Sequence, residues 1–290
     1  MDSGRWLRVF GVHTGHVGSR SLGKGACILA DEISFVFEYD QIYNDSSYPW
    51  DSNGMNMWYA DSKRGSAMHL LETTILPNYL LLSKPNQHLI VDFGHNLNLG
   101  FLRPLAAVLG DRVAFVRVVR HRYDTCRSFM SEGKVPCGKG MWTLCPTKHP
   151  HIALPPPRGV WNGLTPWQKV MWFIDEVEAR WQRLLADFPD IDRLLVHWCD
   201  GLDFERARFA VFDFFGQRAA AAVGSERKIN VVAKKCKQGK HTDPSLKSLL
   251  SDAELGVQDA DYQALMAYDN HTLSFTLRNV LRPFDCGYQK

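Results

Sequence analysis

Short apolar runs alternate with stretches of helical period through most of the chain. Residues 7–12 (LRVFGV), 88–92 (HLIVD), 113–119 (VAFVRVV) and 191–198 are short, rich in Val, Leu, Ile and Phe, and bounded by polar segments, as buried strands are. Residues 33–39 read either as a further strand or as the end of a helix. Helical spacing is carried by Leu22, Ala26, Ile28 and Leu29, then by residues 68–82 (bent or divided at Pro77) and by residues 100–109. The clearest helix spans 165–188, where Thr165 supplies an N-cap and Pro166 the first helical position. A helix over 204–215 is expected to stop at Gly216. Two more fill 244–281, the second carrying Tyr262, Leu265, Met266 and Leu273.

This alternation predicts an α/β fold, a three-layer sandwich whose central sheet is mostly parallel and covered by helices on both faces. Such sheets bind ligands at the carboxyl ends of their strands. The loops that begin at His13, Phe93 and Arg120 all leave such ends and can meet at one site. Two stretches lack periodicity. Residues 44–66 are polar with interspersed aromatics, and residues 133–163, rich in Pro, Gly and His, read as a loop insertion over the site.

With 290 residues, 45% of them hydrophobic, the chain has enough apolar material for one large domain over 1–290. A net charge of +3 suits a local anion pocket and not a nucleic-acid surface. No apolar run reaches membrane-spanning length, and the N-terminus enters the first strand without a signal-peptide pattern. The 7 cysteines are scattered, which predicts reduced thiols and a cytoplasmic protein; a lumenal Golgi-type domain trimmed of its anchor has the same composition. Cys137, Cys145, His149 and His151 match no standard zinc spacing.

The candidate chemistry begins after the first strand. Thr14, Gly15, His16, Val17, Gly18, Ser19, Arg20 and Ser21 form a Gly- and hydroxyl-rich turn ahead of a helical pattern, an arrangement that offers backbone N–H groups to a phosphate or sulfate. Read as a Walker A loop, Gly18 to Lys24 ends in Gly25 where Ser or Thr is required. The second stretch follows the best strand. Arg120 stands at its end, Ser128 lies on the next helix, and Asp124 between them is placed to cap that helix at its positive dipole end. Arginine and serine there make a phosphate clamp.

Together these stretches resemble the sulfotransferases that use 3′-phosphoadenosine-5′-phosphosulfate (PAPS). Gly18-Ser19-Arg20-Ser21-Leu22 is similar to the family's G-[ST]-[TR]-x-L at the 5′-phosphosulfate, and Arg120-x3-Asp124-x3-Ser128 fits its R-x3-D-x3-S at the 3′-phosphate. The resemblance implies a P-loop-NTPase-like sulfotransferase architecture and adenosine 3′,5′-bisphosphate as product. The family's usual loop cation is replaced by His16, so protonated His16, Arg20 and Lys24 are the candidates to stabilise the leaving phosphate. His95, in the loop after the 88–92 strand, occupies the place of the family's general base, with Asp92 in reserve; an imidazole, with an ordinary pKa of about 6.5, suits that task. Arg227 and Lys228 open a basic run where related enzymes carry a late nucleotide-contacting loop. His69, His88 and His197 read as structural. The reaction implied needs no metal, and its acceptor is a small molecule or carbohydrate carrying a hydroxyl or amine, taken by a monomer or homodimer. Two rivals stand beside it, a P-loop small-molecule kinase using ATP–Mg and an inactive sulfotransferase-like nucleotide binder.

Overall fold

In a computed structural model the described residues are 7–15, 17, 22, 28–29, 32–36, 73, 77, 84, 87–94, 102–138, 143–147, 152–198, 201–226, 231–233 and 250–266. The apolar runs become strands: Leu7–Val12 is β1, Ile28–Leu29 is β2, Ile33–Val36 is β3, Leu89–Asp92 is β4, Val113–Arg120 is β5, Asp192–Trp198 is β6 and Val232–Ala233 is β7. The helices are α1 (Leu102–Leu109), α2 (Arg122–Ser131), α3 (Val160–Gly163), α4 (Pro166–Asp187), α5 (Gly201–Ala222) and α6 (Asp252–Leu265).

The main sheet is 5-stranded, in the order β3-β4-β1-β5-β6, and every pairing in it is parallel. Parallel strands covered on both faces have no polar side to show, which is why their sequences run apolar without alternation. Successive residues nevertheless divide between two cores. Phe10, Ile90 and Phe115 join the core formed with α1, α2, α4 and α6, while Val9, Val91 and Val116 join the core formed with α5. The three-layer α/β expectation therefore holds. The chain leaves β1 toward β3 and leaves β4 toward β5, in opposite directions, so the crevice at the carboxyl ends of β1 and β4 is the sheet's switch point.

Gly11 is required by that crevice. A Cβ at this position would lie 2.4 Å from Cδ1 of Phe93, a fully buried ring that also packs edge-on to Phe215 at 6.0 Å. On the opposite face, α4 is the main buttress. Thr165 and Gln168 form a capping box at its start. Its buried Glu178 takes two hydrogen bonds from Arg117 of β5, at 3.2 and 2.9 Å. Its buried Asp175 pairs with Arg122 at the start of α2 and accepts from the Tyr262 hydroxyl at 2.7 Å, while Asp259 of α6 reaches the same guanidinium at 3.4 Å. Burial works to lower the Arg122 pKa, but Asp175, Asp259 and Tyr262 outweigh it and hold the group well above its ordinary value. This web fixes α2 against α4 and α6.

Four expectations are corrected. Ile28 and Leu29 are not helical; they pair antiparallel with Val232 and Ala233, a long-range partner that local spacing does not reveal. Gly216 does not stop α5, which continues to Ala222 because Phe215, Ala219 and Ala220 are buried and alanines favour helix enough to offset the glycine cost of about 1 kcal/mol. Past Ala222 the helix is closed by Gly224 (φ 65°) in a Schellman motif, with Ser225 N–H donating to Ala220 O at 2.9 Å and Gly224 N–H to Ala221 O at 3.2 Å. Cys137 and Cys145 are joined in a disulfide, so the reduced-thiol reading fails for that pair. His197, read as structural and buried, lies on the exposed side of β6. Cys126 is free and buried, and burial pushes its thiol up to about 12. No helix among the described residues is long and apolar enough to cross a membrane. The proposed helix over 68–82 and the loop over 44–66 lie outside the described residues, apart from Thr73 and Pro77.

Two stability predictions follow from these contacts. Gly11→Ala should cost about 1–3 kcal/mol in urea unfolding through overpacking against Phe93. Asp175→Asn, which leaves Arg122 a buried charge without its main partner, should cost about 3–5 kcal/mol, and Asp259→Asn distinctly less.

Candidate functional site

At the switch point the end of β1 is tied on both sides. Arg117 Nη1 donates to Val12 O at 3.2 Å and to Val118 O at 2.9 Å. The next residue, His13, is buried. Its Nδ1 accepts from Gly15 N–H at 3.0 Å and its Nε2 faces Phe93 O at 2.8 Å. An Nδ1 that accepts assigns the ring proton to Nε2, so this imidazole is neutral and bridges the loop after β1 to the loop after β4. Its ring also stacks on Phe93, with centroids 6.2 Å apart.

Gly15 adopts φ 83°, a conformation that admits the tight turn only because the residue is glycine. The Thr14 hydroxyl donates to Gly15 O at 3.0 Å, which leaves its oxygen as an acceptor. Val17 and Leu22 are buried in the α5-side core. After β4, Asp92 Oδ1 accepts from Gly94 N–H at 2.6 Å, an Asx-type turn that sets the course of the chain toward residue 95. One oxygen of the reserve base is thus committed to the backbone.

Arg120 ends β5 in register with Trp198 at the end of β6. Its guanidinium carbon lies 4.8 Å from the centroid of the Trp198 ring, a cation–π stack. Burial lowers the Arg120 pKa from the usual arginine value, Asp124 raises it and Arg127 lowers it again. A partly desolvated guanidinium gains more from an anion than a hydrated one does. Trp198 serves a second element. Its indole N–H donates to Val17 O at 3.1 Å, inside the loop after β1. Phe204 supports the ring edge-on at 4.9 Å.

Helix α2 begins directly after Arg120 with His121 as its N-cap, and no side chain caps it. The expected Asp124 cap is absent because the carboxylate instead takes a hydrogen bond from Arg127 at 3.1 Å; in the first turn it still complements the helix dipole. Ser128 is half-buried one turn beyond Asp124, on the same side of the helix. β7 lies within the basic run, between Lys228 and Lys234, and pairs with β2, which follows the loop.

The structure therefore links the loop of Thr14, Gly15 and Val17 to Arg120 through Trp198, at the carboxyl edge of the sheet, and places Ser128 on the second turn of α2. His16, Gly18, Ser19, Arg20, Ser21, Lys24, His95, Arg227 and Lys228 lie outside the described residues. His13 and Trp198 were missed as site residues. The available signal was their position, one just past a strand and the other at a strand end. The described part of the 133–163 stretch docks on α4: Glu176 accepts from Ala153 N–H at 2.9 Å and Leu154 N–H at 2.7 Å, and Trp172 donates to Leu154 O at 2.8 Å.

No protein-family model matches the chain, and no curated protein matches it. Among solved structures, a sulfotransferase from Alicyclobacillus acidocaldarius is similar over 94% of this chain and 98% of its own, at 12% identity and a TM-score of 0.38.

Proposed function

We propose that this chain is a sulfotransferase that moves the sulfuryl group of PAPS to a hydroxyl or amine of an acceptor. The observation that carries the reading is the position of Arg120. It is a partly desolvated guanidinium at the carboxyl end of a parallel strand, tied through one tryptophan to the Gly turn that follows β1. The donor set fits a nucleotide bearing two separate anionic groups. Arg120 with Ser128 takes the 3′-phosphate, and the loop through Thr14–Ser21 takes the 5′-phosphosulfate.

In the reaction the acceptor oxygen or nitrogen attacks sulfur in line. The new bond to sulfur forms as the bond from sulfur to the bridging oxygen breaks, and that oxygen's negative charge departs with adenosine 3′,5′-bisphosphate. His95 takes the acceptor proton. His16, Arg20 or Lys24 supplies positive charge where the bridging oxygen gains electrons, beside backbone N–H groups of the loop. His13 and Asp92 set the courses of the two chain segments that carry these groups. The Cys137–Cys145 disulfide favours an oxidising, lumenal compartment over the cytoplasm.

Calorimetric titration tests the reading. Wild type should bind adenosine 3′,5′-bisphosphate without magnesium, and Arg120→Ala should weaken it by about ten- to hundredfold, the loss of a charge-assisted clamp of about 1.5–3 kcal/mol. Binding of ATP–Mg alone would transfer the protein to the kinase class.

A further inference from the structure

Trp198 touches both halves of this site, and the nucleotide reading gives it no contact with the ligand. Its ring face carries the Arg120 guanidinium at 4.8 Å, and its indole N–H holds Val17 O at 3.1 Å. Its own carbonyl accepts from His121 N–H at 3.2 Å, which ties it to the start of α2. Phe204 fixes the ring from the side. Val17 in the loop after β1, the start of α2 and the first turn of α5 are thereby set relative to one aromatic plane.

The geometry of the stack is specific. A guanidinium lying over an aromatic face keeps its N–H donors in its own plane, so the stack orients them without consuming them. Arginine otherwise has many rotamers, and ordering it on a ligand costs free energy. A side chain already stacked has met part of that cost before the anion arrives. The hydrogen bond to Val17 does the same for the Gly turn, one residue from Gly18.

Resting on the PAPS reading, we infer that Trp198 is a positioning residue that sets selectivity for the 3′-phosphate by orienting Arg120, and that its N–H separately holds the 5′-side loop. The two arms predict different losses. Without the ring, discrimination of a 3′-phosphorylated nucleotide falls. Without only the N–H, binding of the 5′-phosphate falls and discrimination stays.

The test measures dissociation constants of adenosine 3′,5′-bisphosphate and of 5′-AMP for wild type, Trp198→Met, Trp198→Phe, Arg120→Ala and the double variant Arg120→Ala/Trp198→Met. The 5′-AMP constant divided by the bisphosphate constant reports the 3′-phosphate alone. Trp198→Met should lower this ratio by about five- to tenfold, and the double variant should lower it no further than Arg120→Ala does. Trp198→Phe should keep the wild-type ratio while weakening both ligands together by about three- to tenfold. A wild-type ratio in Trp198→Met, or equal further losses in the presence and absence of Arg120, would overturn the orienting role. Unchanged 5′-AMP binding in Trp198→Phe would overturn the loop role, and this variant decides that arm even where Trp198→Met fails to fold. A wild type that does not prefer the bisphosphate sinks the PAPS reading itself, a result separate from either of these.

Discussion

Where parallel strands end, the carbonyls and amides that follow leave the sheet's hydrogen-bond ladder, and those that stay buried must find other partners. At the carboxyl edge of this sheet side chains supply them. Arg117 takes the carbonyl of Val12, His13 takes the amide of Gly15 and the carbonyl of Phe93, and Trp198 takes the carbonyl of Val17. Each bond satisfies a backbone group and at the same time fixes the direction in which a loop departs. The candidate site is thus built by the solution to a folding problem. Close approach of the loops also needs space, and Gly11 provides it beneath Phe93.

The stiffness of this edge comes from behind it. Arg120 sits between a central strand, buried on both faces, and a helix whose first residue, Arg122, is locked by Asp175 and Asp259. A buried ion pair is weak evidence of net stability, since desolvation offsets much of the Coulomb gain, but it enforces geometry strongly because breaking it is costly. Here that geometry is the angle at which α2 leaves β5, which sets where Arg120 and Ser128 stand relative to each other. Glu176 gives the stretch around Leu154 a similar anchor, with Arg180 donating to it at 2.6 Å.

The parts of the fold that sequence made legible are those with local causes. β5 was plain because six successive buried residues need an apolar run, and α4 was plain because Thr165 and Pro166 mark its start. Long-range pairing was not legible: Ile28 and Leu29 have helical spacing but meet β7, and Cys137 and Cys145 gave no sign of being paired. Gly216 misled because its cost is small beside the burial of Phe215 and Ala219. In the site, Arg120 could be placed at a strand end from its neighbours alone. Its tryptophan platform could not, since that depends on the register between β5 and β6. Asp124 kept its helix position and lost its expected capping role to Arg127, a choice that only side-chain geometry decides.

The most direct test of the account is a crystal structure of the full chain with adenosine 3′,5′-bisphosphate bound. The 3′-phosphate is expected within hydrogen-bond distance of the Arg120 guanidinium and the Ser128 hydroxyl, and the 5′-phosphate against the loop that starts at Thr14. A nucleotide seated away from the carboxyl edge of the sheet, or one whose 3′-phosphate leaves Arg120 on Trp198 without contact, would contradict it.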